Sequence, residues 1–269
     1  MSGKQVAYLV PTTVLCLQQY KTFKDRMEKF GVKVEMLCRF KTKAEQTKIL
    51  EELKQGKIDV IIGTHRLLSK DVIYKNLGFL VIDEEHRFGV AAKEEIKKLK
   101  ENIDVLSMTA TPIPRTLNMS LIGVRKMSNL TSPPIDRLPV HTYVLEYDEL
   151  VIAEAIKKEL LRDGQVYYLS NRVENIEEVA KKVKTLAGKE ARVAVAHGRM
   201  QPSQVEDIML DFINHDIDIL VCTTILESGI DIPNANLIIV ENADRLGLAQ
   251  LYQIRGRVGR SNRLAYAYI

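Results

Sequence analysis

A chain of 269 residues, 46% hydrophobic and 28% charged, has the makings of one large or two ordinary soluble domains and excludes a disordered polymer. Its net charge of +4 permits a nucleic-acid partner without demanding one, and with no Trp and 6% aromatic residues a platform for stacking bases is not expected. Cys16, Cys38 and Cys222 show no metal-ligand spacing, and no secretory pattern or apolar run of membrane length occurs, so buried thiols in a cytoplasmic protein are expected.

In the first half, short apolar runs predict strands at Gln5–Val10, Lys33–Leu37, Asp59–Gly63, Phe79–Asp83 and Val105–Met108. Amphipathic stretches between them predict helices at Val14–Lys29, Ala44–Gln55, Ala91–Glu101 and Ile113–Leu121. Strands that are apolar throughout, with helices between, imply a parallel sheet covered on both faces. The rhythm breaks over Ser128–Leu138, where Pro133 and Pro134 give a linker signal. It resumes with strands near Val140–Leu145, Gln165–Leu169, Arg192–Val195, Ile217–Cys222 and Leu237–Glu241, and a last one at Ala265–Ile269. Helices are predicted near Leu150–Arg162, Ile176–Ala187, Ser203–His215 and Leu248–Arg255. The expected organisation is an α/β domain over residues 1–130, a linker over 131–146 and a second α/β domain over 147–269, the two sharing a fold without sharing sequence.

Several predicted strands run straight into polar residues: Thr12-Thr13, Thr64-His65, Asp83-Glu84, Thr109 and Thr111, Thr223-Thr224. Open parallel sheets bind ligands beyond the carboxyl ends of their strands. Asp83 is placed to hold Mg²⁺ directly or through water, and Glu84 to polarise a water attacking a phosphate. The same pair also suits a helix N-terminus, where the dipole favours acidic side chains. Arg257 and Arg260, three apart, would share a helical face and could stabilise charge on a phosphoryl group, although a solvated basic turn fits them too. Gly256 and Gly259 favour close approach of a ligand or backbone there. Carboxylates in the first half and arginines in the second would make a composite site across a cleft.

In order, Val10–Gln19, Ile61–Leu68, Val81–Gly89, Met108–Leu117, Tyr167–Glu174, His197–Met200, Val221–Pro233 and Leu251–Ser261 resemble the motifs of the superfamily 2 helicase motor. The strings Asp83–Gly89, Thr109–Leu117 and Gln253–Arg260 are similar to the branch that holds RecG and the transcription-repair coupling factors. Glu85, Ser170–Glu174 and Asn242–Gln253 favour the coupling-factor family.

That resemblance implies two RecA-like parallel-sheet domains in tandem, the first lacking its P-loop strand and helix. It implies ATP and Mg²⁺ as cofactors, with Asp83, Glu84, Arg257 and Arg260 catalytic, Asp83 holding Mg²⁺ through water, and His86, Gln253, Gly229 and Asp231 at the nucleotide. Thr109 and Thr111 would couple the nucleotide to the grip on DNA. Thr12, Thr13, Thr64, His65 and Arg66 in the first domain, and Arg172, His197, Arg199, Thr223 and Thr224 in the second, would contact DNA phosphates. The implied function is a double-stranded DNA translocase that displaces stalled RNA polymerase in transcription-coupled repair. RNA polymerase and excision-repair proteins would be engaged by other parts of the parent protein. A RecG-like fork-remodelling helicase and a non-catalytic nucleic-acid-binding module are the alternatives.

No G-x-x-x-x-G-K-[ST] occurs in the 269 residues, so ATP hydrolysis by these residues alone is not expected. The resemblance also implies a phosphate-loop strand between the strand ending at Asp83 and the one ending near Thr109. Without it, those two strands would close on each other or a foreign strand would fill the gap.

Overall fold

The apolar runs are strands and the amphipathic stretches helices in a computed structural model that describes residues 3–100, 103–109, 127–130, 132, 138–223 and 230–269. The expected helix at Ile113–Leu121, the Pro133-Pro134 pair, Thr111, Thr224 and Gly229 lie outside the described residues. The chain divides into two compact units, residues 1–129 and 130–269.

In the first unit, β1 (Gln5–Leu9), β2 (Val34–Leu37), β3 (Val60–Gly63), β4 (Leu77–Asp83) and β5 (Asp104–Met108) form a parallel sheet in the order β2-β3-β1-β4-β5. The two-residue period of a strand sorts its side chains into two cores. Ala7, Leu9, Ile61, Leu80 and Ile82 pack against α2 (Lys43–Gln55) and α3 (Val90–Leu99). Tyr8, Val10, Val60 and Ile62 pack with Leu15 and Cys16 of α1 (Thr13–Met27).

The second unit repeats this plan. Strands β6 (Val140–Tyr143), β7 (Gln165–Leu169), β8 (Val193–Ala196), β9 (Ile219–Cys222), β10 (Ala235–Val240) and β11 (Ala265–Tyr268) form a parallel sheet ordered β6-β11-β10-β7-β9-β8. Helices α4 (Glu149–Leu161) and α5 (Ile176–Ala187) cover one face through Ile156, Val179 and Val183. Phe212 of α6 (Pro202–Ile213) meets the ring of Tyr167 at 5.0 Å, and α7 (Leu248–Arg255) precedes the last strand.

Read from the opposite edge, the second order is β8-β9-β7-β10-β11-β6: the order of the first sheet with β6 added outside β11. The same bonds anchor both. Gln5 is buried, and its amide nitrogen donates to Leu53 O and Ile58 O, each at 2.9 Å; that of the buried Gln165 donates to Phe212 O and Ile217 O at 2.6 and 2.7 Å. Asp59 Oδ2 accepts from Lys33 N, and Asp218 Oδ2 from Arg192 N, both at 2.8 Å.

The duplication corrects one expectation. β4 pairs directly with β5 over an unbroken register from Phe79–Asp104 to Asp83–Met108, and the counterparts β10 and β11 also pair directly. Direct pairing is therefore the regular arrangement of this sheet, not closure over a gap, and no strand belongs between the two. The sixth strand of the second sheet lies on the outer side instead.

Candidate functional site

Four apolar residues, Phe79 to Ile82, bury the end of β4 and deliver Asp83 and Glu84 to the carboxyl edge of the first sheet. Glu84 leaves the strand with φ +48° and ψ +54°, left-handed backbone that non-glycine residues adopt only when the surroundings hold it there. Its backbone N–H donates to Met108 O at 2.9 Å, which ties the turn to the end of β5. The side chain is buried, and Glu84 Oε2 accepts from Thr109 Oγ1 at 2.7 Å, with His86 Nδ1 at 3.2 Å. Asp83 beside it is half-buried, and burial first, then the Glu84 charge, hold its carboxyl above the usual carboxylate range. Burial, helped by the Asp83 charge, pushes the Tyr8 phenol up to about 12.

Asp83, Glu84, His86 and Thr109 are thus brought together, as the motif spacing requires. Glu85, noted only as a mark of family, has a structural part: its carboxylate accepts from Ser107 Oγ and Lys100 Nζ, both at 2.8 Å, clamping the turn to β5 and the end of α3. Among the described residues no group of three or more His, Cys, Asp or Glu could hold a metal. A cation at this edge would have one carboxylate, Asp83, which suits Mg²⁺ carrying its own waters and nucleotide oxygens.

The expected phosphate contacts fall at neighbouring strand ends. Thr12 follows β1, and its hydroxyl caps α1 by accepting from Leu15 N at 3.3 Å; Thr13 and Thr64 are buried. His65 is exposed, while Arg66 forms a fork on Asp71 at 2.8 and 2.6 Å and reaches Gln46 at 3.3 Å. In the second unit the exposed Arg172 follows β7, His197 follows β8 and the buried Thr223 follows β9, three adjacent strands. Arg199 pairs with Glu174, joining the loops after β7 and β8. His197 Nδ1 is buried with no hydrogen-bond partner.

The arginine pair departs from expectation. Helix α7 ends at Arg255 with Gly256 as its cap, so Arg257 and Arg260 sit beyond it and do not share a helical face. Arg260 Nε donates back to Gly256 O at 3.2 Å and Nη1 to Ile230 O at 3.0 Å, with Asp231 at 3.7 Å. Arg260 and Asp231 are brought together within this unit; Gln253 is exposed on α7. Gly259 has a packing role: φ is +71°, and a Cβ there would meet Val140 Cγ2 at 2.8 Å.

This order of strands and strand-end clusters has counterparts among known proteins. The DEAD/DEAH box helicase family matches residues 1–120, and the helicase conserved C-terminal domain matches residues 150–262. The chain thus carries a match to each of these two helicase domains, in that order. The chain is 56% identical over 266 residues to a transcription-repair-coupling factor from Bacillus subtilis, covering 99% of this chain and 22% of that protein. It is 56% identical over 268 residues to the factor so named in Staphylococcus aureus (strain USA300), covering 100% of this chain and 23% of that one. The chain thus spans less than a quarter of the length of these curated relatives. A structure of RecG bound to a three-way DNA junction superposes with a TM-score of 0.83 at 36% identity, over 99% of this chain and 36% of RecG.

Proposed function

We propose that these residues are the motor core of an ATP-driven, double-stranded DNA translocase of the transcription-repair coupling kind. The observation that carries the reading is the Glu84 carboxylate, buried at the end of β4 in left-handed backbone, beside Asp83 and bonded to Thr109. Bound ATP supplies a γ-phosphate as the electrophile. Glu84 accepts a proton from the water it orients, and the Thr109 hydroxyl and His86 fix its rotamer. Asp83 would hold Mg²⁺ through its waters, and burial of the Glu84 carboxylate keeps bulk water from competing. Arg257 and Arg260 meet the charge that develops on the phosphate, and Gln253 and Asp231 lie at the nucleotide.

The phosphate loop is not among the 269 residues, so turnover requires residues beyond these. Thr12, Thr13, Thr64, His65 and Arg66, with Arg172, His197, Arg199 and Thr223, face the DNA backbone, a sequence-independent grip suited to translocation. Thr109 and Thr111 link that grip to the nucleotide. In the whole protein, RNA polymerase and excision-repair proteins are the partners, in the cytoplasm; among the described residues no helix is long and apolar enough to cross a membrane. The higher identity to coupling factors, 56% against 36% for RecG, favours polymerase displacement over fork remodelling.

The test joins the chain to a relative's phosphate-loop segment and measures DNA-stimulated ATPase. Glu84→Gln and Arg260→Ala are each expected to remove most turnover. Near-normal turnover in either rejects the role given to that residue.

A further inference from the structure

Strand β10 of the second unit matches β4 of the first position by position. Beyond the carboxyl end of β10, Asn242 has φ +50° and ψ +49° where Glu84 beyond β4 has +48° and +54°. Near the amino end, each strand carries one residue too many for its neighbour. Between β1 and β4 the register steps from Gln5–Leu77 to Val6–Phe79, which leaves Gly78 over. Between β7 and β10 it steps from Gln165–Ala235 to Val166–Leu237, which leaves Asn236 over. The first unit makes its bulge with a glycine, so the bulge itself does not call for an amide.

Yet Asn236 is fully buried, in a strand that is otherwise apolar from Ala235 to Val240. A buried amide is costly unless its polar atoms are bonded, and the bonds of Asn236 lead to one place. Its Oδ1 accepts from Ser261 Oγ at 3.3 Å, and its Nδ2 donates to Asn234 O at 3.0 Å. Ser261 Oγ accepts in turn from Arg263 N at 3.3 Å, and Arg263 Nη1 donates to Asn234 Oδ1 at 3.1 Å and to Arg162 O at 3.2 Å. Beside the amide lies the buried Glu159 carboxylate, which accepts from Arg162 Nε at 2.8 Å. Burial holds that carboxyl above the usual range, although Arg162 and Asn236 both favour its charge. Gly164 makes room for it, since a Cβ there would overlap Glu159 Oε1. In the first unit Lys4 takes the place of Gly164, and its stem lies where a Cβ on Gly78 would go.

These bonds bear on Arg260, the residue before Ser261. Arg260 Nη1 donates to Ile230 O at 3.0 Å, with Asp231 at 3.7 Å. Residues 256–263 are therefore tied to residues 230–236 twice, once through the Arg260 side chain and once through Ser261 and Arg263. The first tie breaks when the guanidinium turns to a phosphate. The second uses neither arginine and keeps the loop in place while that happens.

We propose that Asn236 and Ser261 are positioning residues of the nucleotide site, holding the backbone of residues 256–263 so that Arg257 and Arg260 reach the phosphate from a fixed start. The proposal rests on the role given above to those two arginines.

The test measures DNA-stimulated ATPase in the chain joined to a relative's phosphate-loop segment, and the fold in the 269-residue chain. Ser261→Ala should lower kcat about tenfold while KM for ATP changes less than about twofold, because the loss is one of alignment. Ser261→Thr, which keeps the hydroxyl, should restore most of the rate. Asn236→Gly, which gives β10 the bulge residue of β4, should lower kcat as far as Ser261→Ala does. In both slow variants the Arg260 Nε–H resonance should shift while amide exchange in β7 and β10 stays slow. If Arg260→Ala keeps its turnover, the role of Arg260 falls and the proposal with it. If Arg260→Ala loses turnover while Ser261→Ala and Asn236→Gly keep theirs, the reading of the site stands and the positioning role is overturned. A rise in KM with kcat intact, or a fall in kcat that comes only with fast exchange in β7 and β10, overturns it as well.

Discussion

Thr109 donates its hydroxyl to Glu84 Oε2 across 2.7 Å, so the residue that follows β5 holds the carboxylate at the end of β4. A hydrogen bond to a charged group is worth about 1.5–3 kcal/mol, and this one sets where the carboxylate points. In a chain extended by a relative's phosphate-loop segment, Thr109→Val should lower the DNA-stimulated kcat about tenfold or more while KM for ATP changes little. Thr109→Ser, which keeps the hydroxyl, should restore most of the rate. A tenfold rise in KM with kcat intact would mean that Thr109 serves binding alone.

Asp83 makes the fold pH-sensitive in a direction opposite to a salt-bridged carboxylate. Its folded pKa is raised above the ordinary 3.8 by burial and the Glu84 charge, so in that window the folded state holds more protons than the unfolded state. The contribution of Asp83 is therefore greatest below the ordinary pKa and falls as pH rises through the folded one. Asp83→Asn should raise stability at neutral pH and flatten the decline between the ordinary pKa and the raised folded one, as read by urea unfolding at a series of pH values. An unchanged slope would show that Asp83 is solvated as in the unfolded chain.

Gln5 fills four bonds inside the first unit: besides Leu53 O and Ile58 O, its amide oxygen accepts from Lys75 N at 2.8 Å and Asn76 N at 3.1 Å. Gln5→Leu would remove all four bonds; Leu53 O keeps Gly56 N, but Ile58 O, Lys75 N and Asn76 N lose the partner that Gln5 gives them, each at a cost of about 1–3 kcal/mol where water cannot reach. The first unit should unfold at markedly lower urea while the second keeps its midpoint. Hydrogen exchange resolved by residue separates the two, and equal loss in both units would contradict the local role.

Much of this architecture could be read from the chain. The runs at β1, β3 and β4 are apolar throughout because both faces are covered, and the polar residues that follow them mark the binding edge. Asp83 and Glu84 were legible for the same reason. The duplication was not, because its anchors are scattered singly: Gln5 and Gln165, Asp59 and Asp218, Glu84 and Asn242. Nor does spacing reveal where a helix stops. Arg257 and Arg260 have helical spacing, but Gly256 caps α7 before them, and Gly259 adopts positive φ to fit beneath Val140. The left-handed turn at Glu84 has no signature in composition, since Glu rarely adopts it unless tertiary bonds hold it there.

Gly259→Ala tests that packing. Its Cβ would press on Val140 Cγ2 at 2.8 Å and approach Ala265 Cβ at 3.2 Å, at a residue whose φ is +71°. Positive φ for Ala costs about 1–2 kcal/mol and the overlap adds to it, so the second unit should lose about 2–3 kcal/mol. Adding Val140→Ala should recover the overlap part and leave the backbone part. Full recovery, or none, would show that only one of the two effects operates.

The fork between Arg66 and Asp71 makes the last prediction, on DNA binding. Arg66 donates to both Asp71 oxygens, which holds the Asp71 carboxyl below the usual range, and it also reaches Gln46. A guanidinium whose fork is filled by a carboxylate has little left to offer a phosphate, and the Asp71 charge repels DNA directly. If Arg66 faces the backbone, Asp71→Asn should tighten binding to duplex DNA of any sequence a few-fold at low salt. Arg66→Ala should weaken it and reduce the slope of log K against log salt by about one. Fluorescence anisotropy over a salt series reads both. If Asp71→Asn weakens binding as much as Arg66→Ala does, the fork instead positions the loop after β3, and the phosphate contact belongs to its neighbours Thr64 and His65.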